Sequence, residues 1–232
     1  MFYSDDITAD IFHLSPEESR HCVKVLRHKN GDIITVTNGK GLIKEAKITA
    51  DKPAKVVCQT ISSQTIQKEK PFSVHVAISP TKNMDRIEWF VEKACELDID
   101  QISFIFTEHS ERKVLKTDRL HKKSVSALKQ SGGYHLCQIN EPVKFKQFLN
   151  QPHEGTRLVA YVDKENPESI KSICKPGDDY LILIGPEGDF SQSEVQQCLD
   201  KGFEPVSLGT KVLRTETAGV VACHSFNFMN DY

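Results

Sequence analysis

The sequence predicts an α/β chain, a mostly parallel sheet covered by helices and preceded by a small β-barrel domain. Three observations carry this reading. A polar run at 62–71, SSQTIQKEKP, has almost no large apolar residue and ends in Pro71, which is linker chemistry. Before it, short β-rich segments alternate with turns. After it, short apolar strands alternate with amphipathic helices, the pattern of a parallel sheet buried on both faces. The predicted domains are therefore 1–68 and 72–232.

Taken in order, DIITVTNGKGLIKEAKI and AKVVCQTI read as strands, and Asn38-Gly39 with Lys40-Gly41 marks a hairpin. Phe72 to Ser79 alternates and then turns apolar, as a strand does. Between Asp85 and Asp98, apolar Ile87, Phe90, Val91, Ala94 and Leu97 recur at spacings of three and four, which puts one stripe on a helix. Ile102 to Phe106 is a second strand, and Thr117 to Ser131 a polar helix. Arg157 to Val162 and Tyr180 to Ile184 are further strands. Ser191 with Glu194 three residues on is a capping box opening a helix. Pro205 to Leu208 is a last strand, and a last helix runs from Thr215, which can serve as its cap.

Composition narrows the function classes. The 232 residues carry 30 Lys and Arg against 32 Asp and Glu, with 38% hydrophobic and 27% charged, as in a soluble globular protein. No apolar run approaches the roughly 20 residues that span a bilayer. The N-terminal MFYSDDITADIF is acidic and lacks an apolar signal core, so a cytoplasmic rather than a secreted protein is expected. The 7 cysteines are widely spaced, with no zinc or redox pair, so no metal site and no disulfide framework are expected. Charge is unevenly spread. Nine Lys and Arg face three acids between Arg20 and Lys55, and seven face Asp118 alone between Arg112 and Lys129. Such stripes suit a phosphate backbone, although each is also compatible with a solvated face.

Two loops have the makings of a site. In the first, an apolar strand runs into Gly185-Pro-Glu-Gly188 and then a capped helix. Its glycines permit a close ligand approach where open α/β sheets bind ligands, beyond the carboxyl ends of the strands. Its spacing matches neither a dinucleotide fingerprint nor a Walker loop. In the second, Ser207 to Gly219, Gly209 turns the chain after a strand and Arg214 precedes a helix. An Arg there is a fixed cation with a planar donor fork; its bland alternative is an ion pair to Glu187 or Glu216. A mostly apolar slot for a ligand can be built from Leu183, Ile184, Gly185, Gly188, Leu208, Gly209 and Leu213.

In this order, GPEG-x-FS followed by LG-x-x-VLR-TETA resembles the SPOUT class of RNA methyltransferases. More narrowly it resembles the ribosomal RNA small subunit methyltransferase E family, which methylates N3 of a uridine in 16S ribosomal RNA. His21-Cys-Val-Lys-Val-Leu-Arg-His28 followed by Asn30-Gly-Asp32 is similar to that family's PUA-like RNA-binding barrel. Lys82-x-x-Arg-x-Glu through Leu97, Thr107-Glu-x-Ser110 and Ala127-x-x-Gln-Ser131 resemble further segments. The resemblance implies a C-terminal trefoil knot, S-adenosylmethionine as cofactor and a homodimer acting on 16S rRNA. A related SPOUT enzyme acting elsewhere, such as on tRNA ribose 2′-O, and a non-catalytic RNA-binding protein of the same fold are the alternatives. The chain departs from the family at Asp189, where a Gly is usual, at His109 within Thr-Glu-His-Ser, and at Gly132-Gly133-Tyr134.

A sulfonium methyl needs alignment and the exclusion of water, and uracil N3 must lose its proton to attack. Charge then spreads onto O2 and O4, so Arg214 is the expected stabilising cation, with Glu187 or Glu216 to orient it or relay the proton. RNA contacts are expected from Arg20, Lys24, Arg27, His28, Lys82, Arg86, Arg112, Lys113 and Gln130.

Overall fold

The computed structural model describes residues 1–161 and 168–232. Contacts divide these into two units, one of Met1–Glu69 with Val125–Leu136, the other of Lys70–Ser124 with Cys137–Tyr232.

The first unit opens with β1 (Phe2–Tyr3), β2 (Ile11–His13) and α1 (Pro16–Arg20), and α1 runs into a π-type turn, His21–Val25. Then come β3 (Ile33–Thr37), β4 (Leu42–Lys52) and β5 (Lys55–Thr65). They form one curled sheet in the order β1-β3-β4-β5-β2. Alternation decides its inner face: Ile34 and Val36, Ala46 and Ile48, and Val56 and Cys58 are buried with Phe2, Ile7, Phe12 and Leu14. Two irregularities in the β4–β5 register, near Ala46 and Ala50, help the sheet curl. Its edge strands meet where Ser4 Oγ donates to the His13 carbonyl at 3.3 Å. This is the small barrel-like unit expected.

The hairpin at 38–41 forms as read. Asn38 Oδ1 accepts from the Lys40 and Leu42 amides at 2.8 and 3.1 Å, and Gly39 and Gly41 sit at φ +68° and +85°. The polar run does not begin as a linker. Ser62–Thr65 is the end of β5, paired to Leu42–Glu45. Its side chains are exposed, so hydropathy carries no trace of the backbone pairing that holds it.

The second unit holds β6 (Val74–Ile78), α2 (Met84–Glu96), β7 (Gln101–Phe106), α3 (Asp118–Ser131, to Ser124 in this unit), β8 (Gln138–Ile139) and β9 (Val143–Lys144). It continues with α4 (Phe145–Leu149), β10 (Thr156–Ala160), α5 (Ile170–Ile173), β11 (Tyr180–Ile184), α6 (Gln192–Asp200), β12 (Glu204–Val206) and α7 (Thr215–Met229). The strands are parallel in the order β12-β10-β11-β6-β7-β8, with β9 also on β7. The strand expected to reach Val162 ends at Ala160, and Val162 lies outside the described residues. The knot expected from the resemblance turns on the connection through 162–167, which also lies outside them.

Strand β11 decides the layering. Tyr180, Ile182 and Ile184 join Phe90 of α2 and Ala222 and Phe226 of α7 on one face. Leu181 and Leu183 join Phe145, Phe148, Phe190 and Cys198 on the other. Among the described residues no helix is long and apolar enough to cross a membrane.

The rest of α3 and the loop after it, Val125–Leu136, belong to the first unit. Lys129 Nζ pairs with Glu18 Oε1 at 2.6 Å, and the Leu136 amide donates to the Gly39 carbonyl at 2.7 Å.

Helices α2 and α7 pack closely because Gly219 has no side chain. A Cβ there would lie 2.5 Å from Phe90 Cε2, and Phe90 is wholly buried. Gly219→Ala is expected to destabilise the protein by about 1–3 kcal/mol through overpacking, net of the helix propensity that alanine gains. A lower urea midpoint with an unchanged slope checks this; an unchanged or higher midpoint refutes it.

Candidate functional site: a pocket at the carboxyl end of the sheet

The chain leaves β10, β11 and β12 at the same end of the sheet, since all three strands are parallel. A pocket of about 110 Å³, open to solvent, lies at this end. Ile184, Gly185, Pro186, Glu187 and Asp189 line it from one loop, and Val206 to Gly209 with Lys211 to Leu213 from the other. Ala160, Tyr161, Thr215 and Ala218 complete the wall.

Local chemistry explains the first loop. At Gly185 a Cβ would come within 3.1 Å of the Phe190 ring, so the turn needs glycine to let that ring pack beneath it. Asp189 sits at φ +61°, a left-handed conformation that Asp tolerates better than most residues. Its Oδ1 accepts from the Phe190 amide at 2.8 Å, while burial raises the carboxyl pKa above its usual value. Where the resemblance implies a glycine, Asp189 thus keeps the turn.

The predicted capping box forms. Ser191 Oγ accepts from the Glu194 amide at 3.3 Å, and Glu194 Oε2 accepts from the Ser191 amide at 3.0 Å. The other oxygen of Glu194 accepts from the Glu108 amide at 2.8 Å. That bond fastens residues 107–110 beside the loop. There His109 Nδ1 lies 3.1 and 2.9 Å from the carbonyls of Gly188 and Asp189, which raise its pKa by accepting from it. Ser110 Oγ lies 2.7 Å from Ser79 Oγ and accepts from the Thr107 amide at 2.8 Å. Neither His109 nor this hydroxyl cluster was singled out from sequence as a site feature. The Thr107-Glu-x-Ser110 motif was the one signal pointing to them.

The structure brings together Ile184, Gly185, Leu208, Gly209 and Leu213 as expected. Two residues are corrections. Leu183 is wholly buried in the opposite layer, because neighbours in a strand point to opposite faces. Gly188 does not line the pocket; a Cβ there would sit 3.3 Å from His109 Cβ. Of the acids, Glu187 lines the pocket and its Oε1 accepts from the Lys82 amide at 3.2 Å. Glu216 is buried, with Oε1 3.7 Å from Arg86 Nε and no partner for Oε2 among the described residues.

Arg214 pairs with neither acid. It is exposed, lies between the lining residues Leu213 and Thr215, and has no side-chain partner among the described residues. It also occupies the N-cap of α7, where Thr215 was expected, and makes no side-chain cap bond. The first amides of α7 therefore add positive potential beside the guanidinium.

Several cations expected to touch RNA are engaged within the unit. Arg112 donates to the carbonyls of Thr81 and Lys82 at 3.2 and 2.7 Å. Lys82 Nζ pairs with Glu111 at 2.9 Å, and Lys113 Nζ lies 3.4 Å from the carbonyls of Thr107 and Glu108. In the first unit, His28 Nδ1 meets Asp32 Oδ2 at 3.1 Å. Arg20, Lys24, Arg27 and Gln130 are exposed, with no side-chain partner among the described residues.

Comparison with known proteins agrees with this architecture. The model of an RNA methyltransferase domain matches residues 68–227, and that of an RNA methyltransferase PUA domain matches 14–60. A solved structure described as a probable rRNA-methyltransferase from Porphyromonas gingivalis is 38% identical, with a TM-score of 0.91 over 99% of this chain and 98% of that one. The ribosomal RNA small subunit methyltransferase E of Neisseria gonorrhoeae, solved bound to S-adenosyl methionine, is 25% identical, with a TM-score of 0.87 over 98% of this chain and 96% of that one. The protein of the same name from Buchnera aphidicola is 28% identical over 99% of this chain and 92% of its own length. With one model spanning the whole sheet that carries the pocket and another spanning most of the curled sheet, the chain belongs to the RNA methyltransferase family, in its ribosomal RNA small subunit methyltransferase E branch.

Proposed function

We propose that this chain uses S-adenosylmethionine to methylate N3 of a uridine in 16S ribosomal RNA, as a cytoplasmic homodimer. The observation that carries the reading is the meeting of the two glycine-bearing loops in one pocket, with Arg214, which has no side-chain partner among the described residues, at its edge. The pocket suits the cofactor. Ile184, Leu208 and Leu213 offer apolar surface for an adenine, and the loop backbones offer donors and acceptors. Gly209 is at φ +139° with nothing within 4 Å of a Cβ placed on it, so its backbone faces open space that a side chain would fill.

The bound cofactor supplies an activated methyl group. The protein's own part is to hold the uracil in line, exclude water and manage charge. Arg214 and the first amides of α7 are assigned to stabilising the anionic charge that develops at O2 and O4 of the uracil. Glu187, which lines the pocket with Asp189, is the proposed proton relay; Glu216, held against Arg86, is assigned to supporting α7. N3 faces the partner base in a duplex, so the target must be unpaired or flipped out. The exposed cations Arg20, Lys24 and Arg27 of the first unit are assigned to the RNA backbone. For the dimer, Cys223 and Phe226 point into the chain's own core, while Phe228 is 72% exposed and Val220 and Val221 are half-buried. That outer face of α7 is the proposed contact with a second copy.

Three measurements test this reading. 3-Methyluridine should disappear from 16S rRNA, by mass spectrometry, in cells lacking the gene; its persistence would exclude the proposed reaction. Gly209→Val should cut cofactor affinity at least about tenfold in calorimetry, and unchanged affinity would remove the loop from the binding site. Arg214→Ala should slow single-turnover methyl transfer at saturating RNA and cofactor by a factor on the order of a hundred. A rate close to wild type would return Arg214 to a structural role.

A further inference from the structure

The first unit carries a feature that phosphate contacts leave unexplained. Val25 and Leu26 follow one another at the tip of the turn after α1, and they are 62% and 48% exposed. Two adjacent aliphatic side chains are not held out into water by a mobile loop. The tip is fixed from both sides. On one, Cys22 is buried in the core and Val23 packs against it, the Leu26 amide donates to the His21 carbonyl at 3.0 Å, and the His28 amide donates to the Cys22 carbonyl at 3.0 Å. On the other, Asp32 Oδ2 accepts from the Lys29 amide at 3.0 Å, and the Gly31 amide donates to Ile48 at 2.8 Å. Arg27, between the two anchors, is in the left-handed region at φ +60°, a conformation an arginine adopts at a cost.

The exposed charge at the tip itself is positive, and the carboxylates beside it are engaged: Asp51 Oδ2 accepts from the Asn30 amide at 3.2 Å and Glu18 pairs with Lys129 at 2.6 Å. Arg20, Lys24, Arg27 and Lys29 are exposed, whereas the Asp32 carboxylate is engaged by the Lys29 amide and His28. An occupant of this tip must therefore bring negative charge together with apolar or aromatic surface. A second copy of the same surface would set cations against cations. RNA meets both requirements, through its phosphates and the faces of its bases.

We propose that Val25 and Leu26 form a rigid apolar wedge that seats against unstacked bases of the rRNA substrate, with Lys24 and Arg27 gripping the phosphates on either side. The proposal rests on the rRNA methyltransferase reading and adds to it a base contact in the first unit. Aliphatic wedges of this kind part base steps in other nucleic-acid complexes, and unpaired RNA offers base faces without the cost of opening a duplex. The wedge gives the first unit a preference for irregular RNA over a continuous helix, which cations alone cannot supply.

The test compares Val25→Ser/Leu26→Ser with Lys24→Ala/Arg27→Ala, binding a 16S rRNA fragment and a fully paired RNA duplex of equal length across a salt series. The wedge variant should lose about tenfold in affinity for the fragment and little for the duplex, with the salt slope kept. The cation variant should weaken both RNAs and flatten the slope by roughly one unit per lost contact. Because all four side chains are exposed, the melting temperature should stay at the wild-type value. Equal affinity of the wedge variant and wild type for the fragment overturns the proposal. So does a wedge variant that keeps its RNA affinity but loses dimerisation in light scattering or binding to anionic phosphatidylserine vesicles, since the tip would then be a protein or membrane contact. Wild-type protein that binds neither RNA overturns the functional reading itself.

Discussion

The carboxyl end of the second unit depends on the complete enclosure of β11. Parallel neighbours, β10 and β6, pair with both of its edges, and apolar layers cover both of its faces. A strand so placed has no freedom to slide, because a one-residue slip would exchange the side chains of the two layers. The loop that leaves it at Gly185 therefore starts from a fixed point. Strand β12 lies one place beyond β10, so its loop emerges beside the first. The pocket follows from the order of three strands before any loop residue is considered.

What shapes the loops is a set of backbone bonds with few spare parts. Glu194 uses one oxygen to cap α6 and the other to hold Glu108. His109 then rests on the carbonyls that precede Phe190, whose ring fills the space left by Gly185. Helix cap, pocket loop and the 107–110 segment are thereby one connected arrangement. It follows that a substitution at Glu194, outside the pocket lining, acts on the pocket through its loop.

The sequence made parts of this legible for a definite reason. Glycines, a proline and the Ser191–Glu194 pair report backbone conformation directly, so the two loops and the start of α6 could be read from residue type. Strand alternation was equally available, and it ruled out Leu183 and Ile184 as joint wall residues; treating the run as uniformly apolar obscured that. Other features left no local signal. Strands β1 and β2 span two and three residues, too few for a period to show. The end of β5 is polar on both sides and is held by pairing alone. The grouping of Val125–Leu136 with the first unit depends on Lys129 meeting Glu18, 111 residues away in the chain, and no window analysis contains both.

Charge shows the same limit most clearly. Counting lysines and arginines measures a potential, and a potential is made equally by cations that are free and by cations already bonded. Near the pocket, Arg112 is spent on two backbone carbonyls, Arg86 on Glu216 and Lys82 on Glu111, so the surroundings of the site are far less available to phosphate than their composition suggests. Arg214 differs in having no side-chain partner among the described residues, while Glu216 lies 3.7 Å from Arg86 and Glu187 accepts the Lys82 amide. In the first unit the bonds run between main chain and Asp32 instead, and Lys24 and Arg27 are exposed with no side-chain partner among the described residues. The proposed division of labour rests on this placement: among the described residues, Lys24 and Arg27 stand without a side-chain partner at the turn after α1, and Arg214 with the lining Lys211 at the pocket.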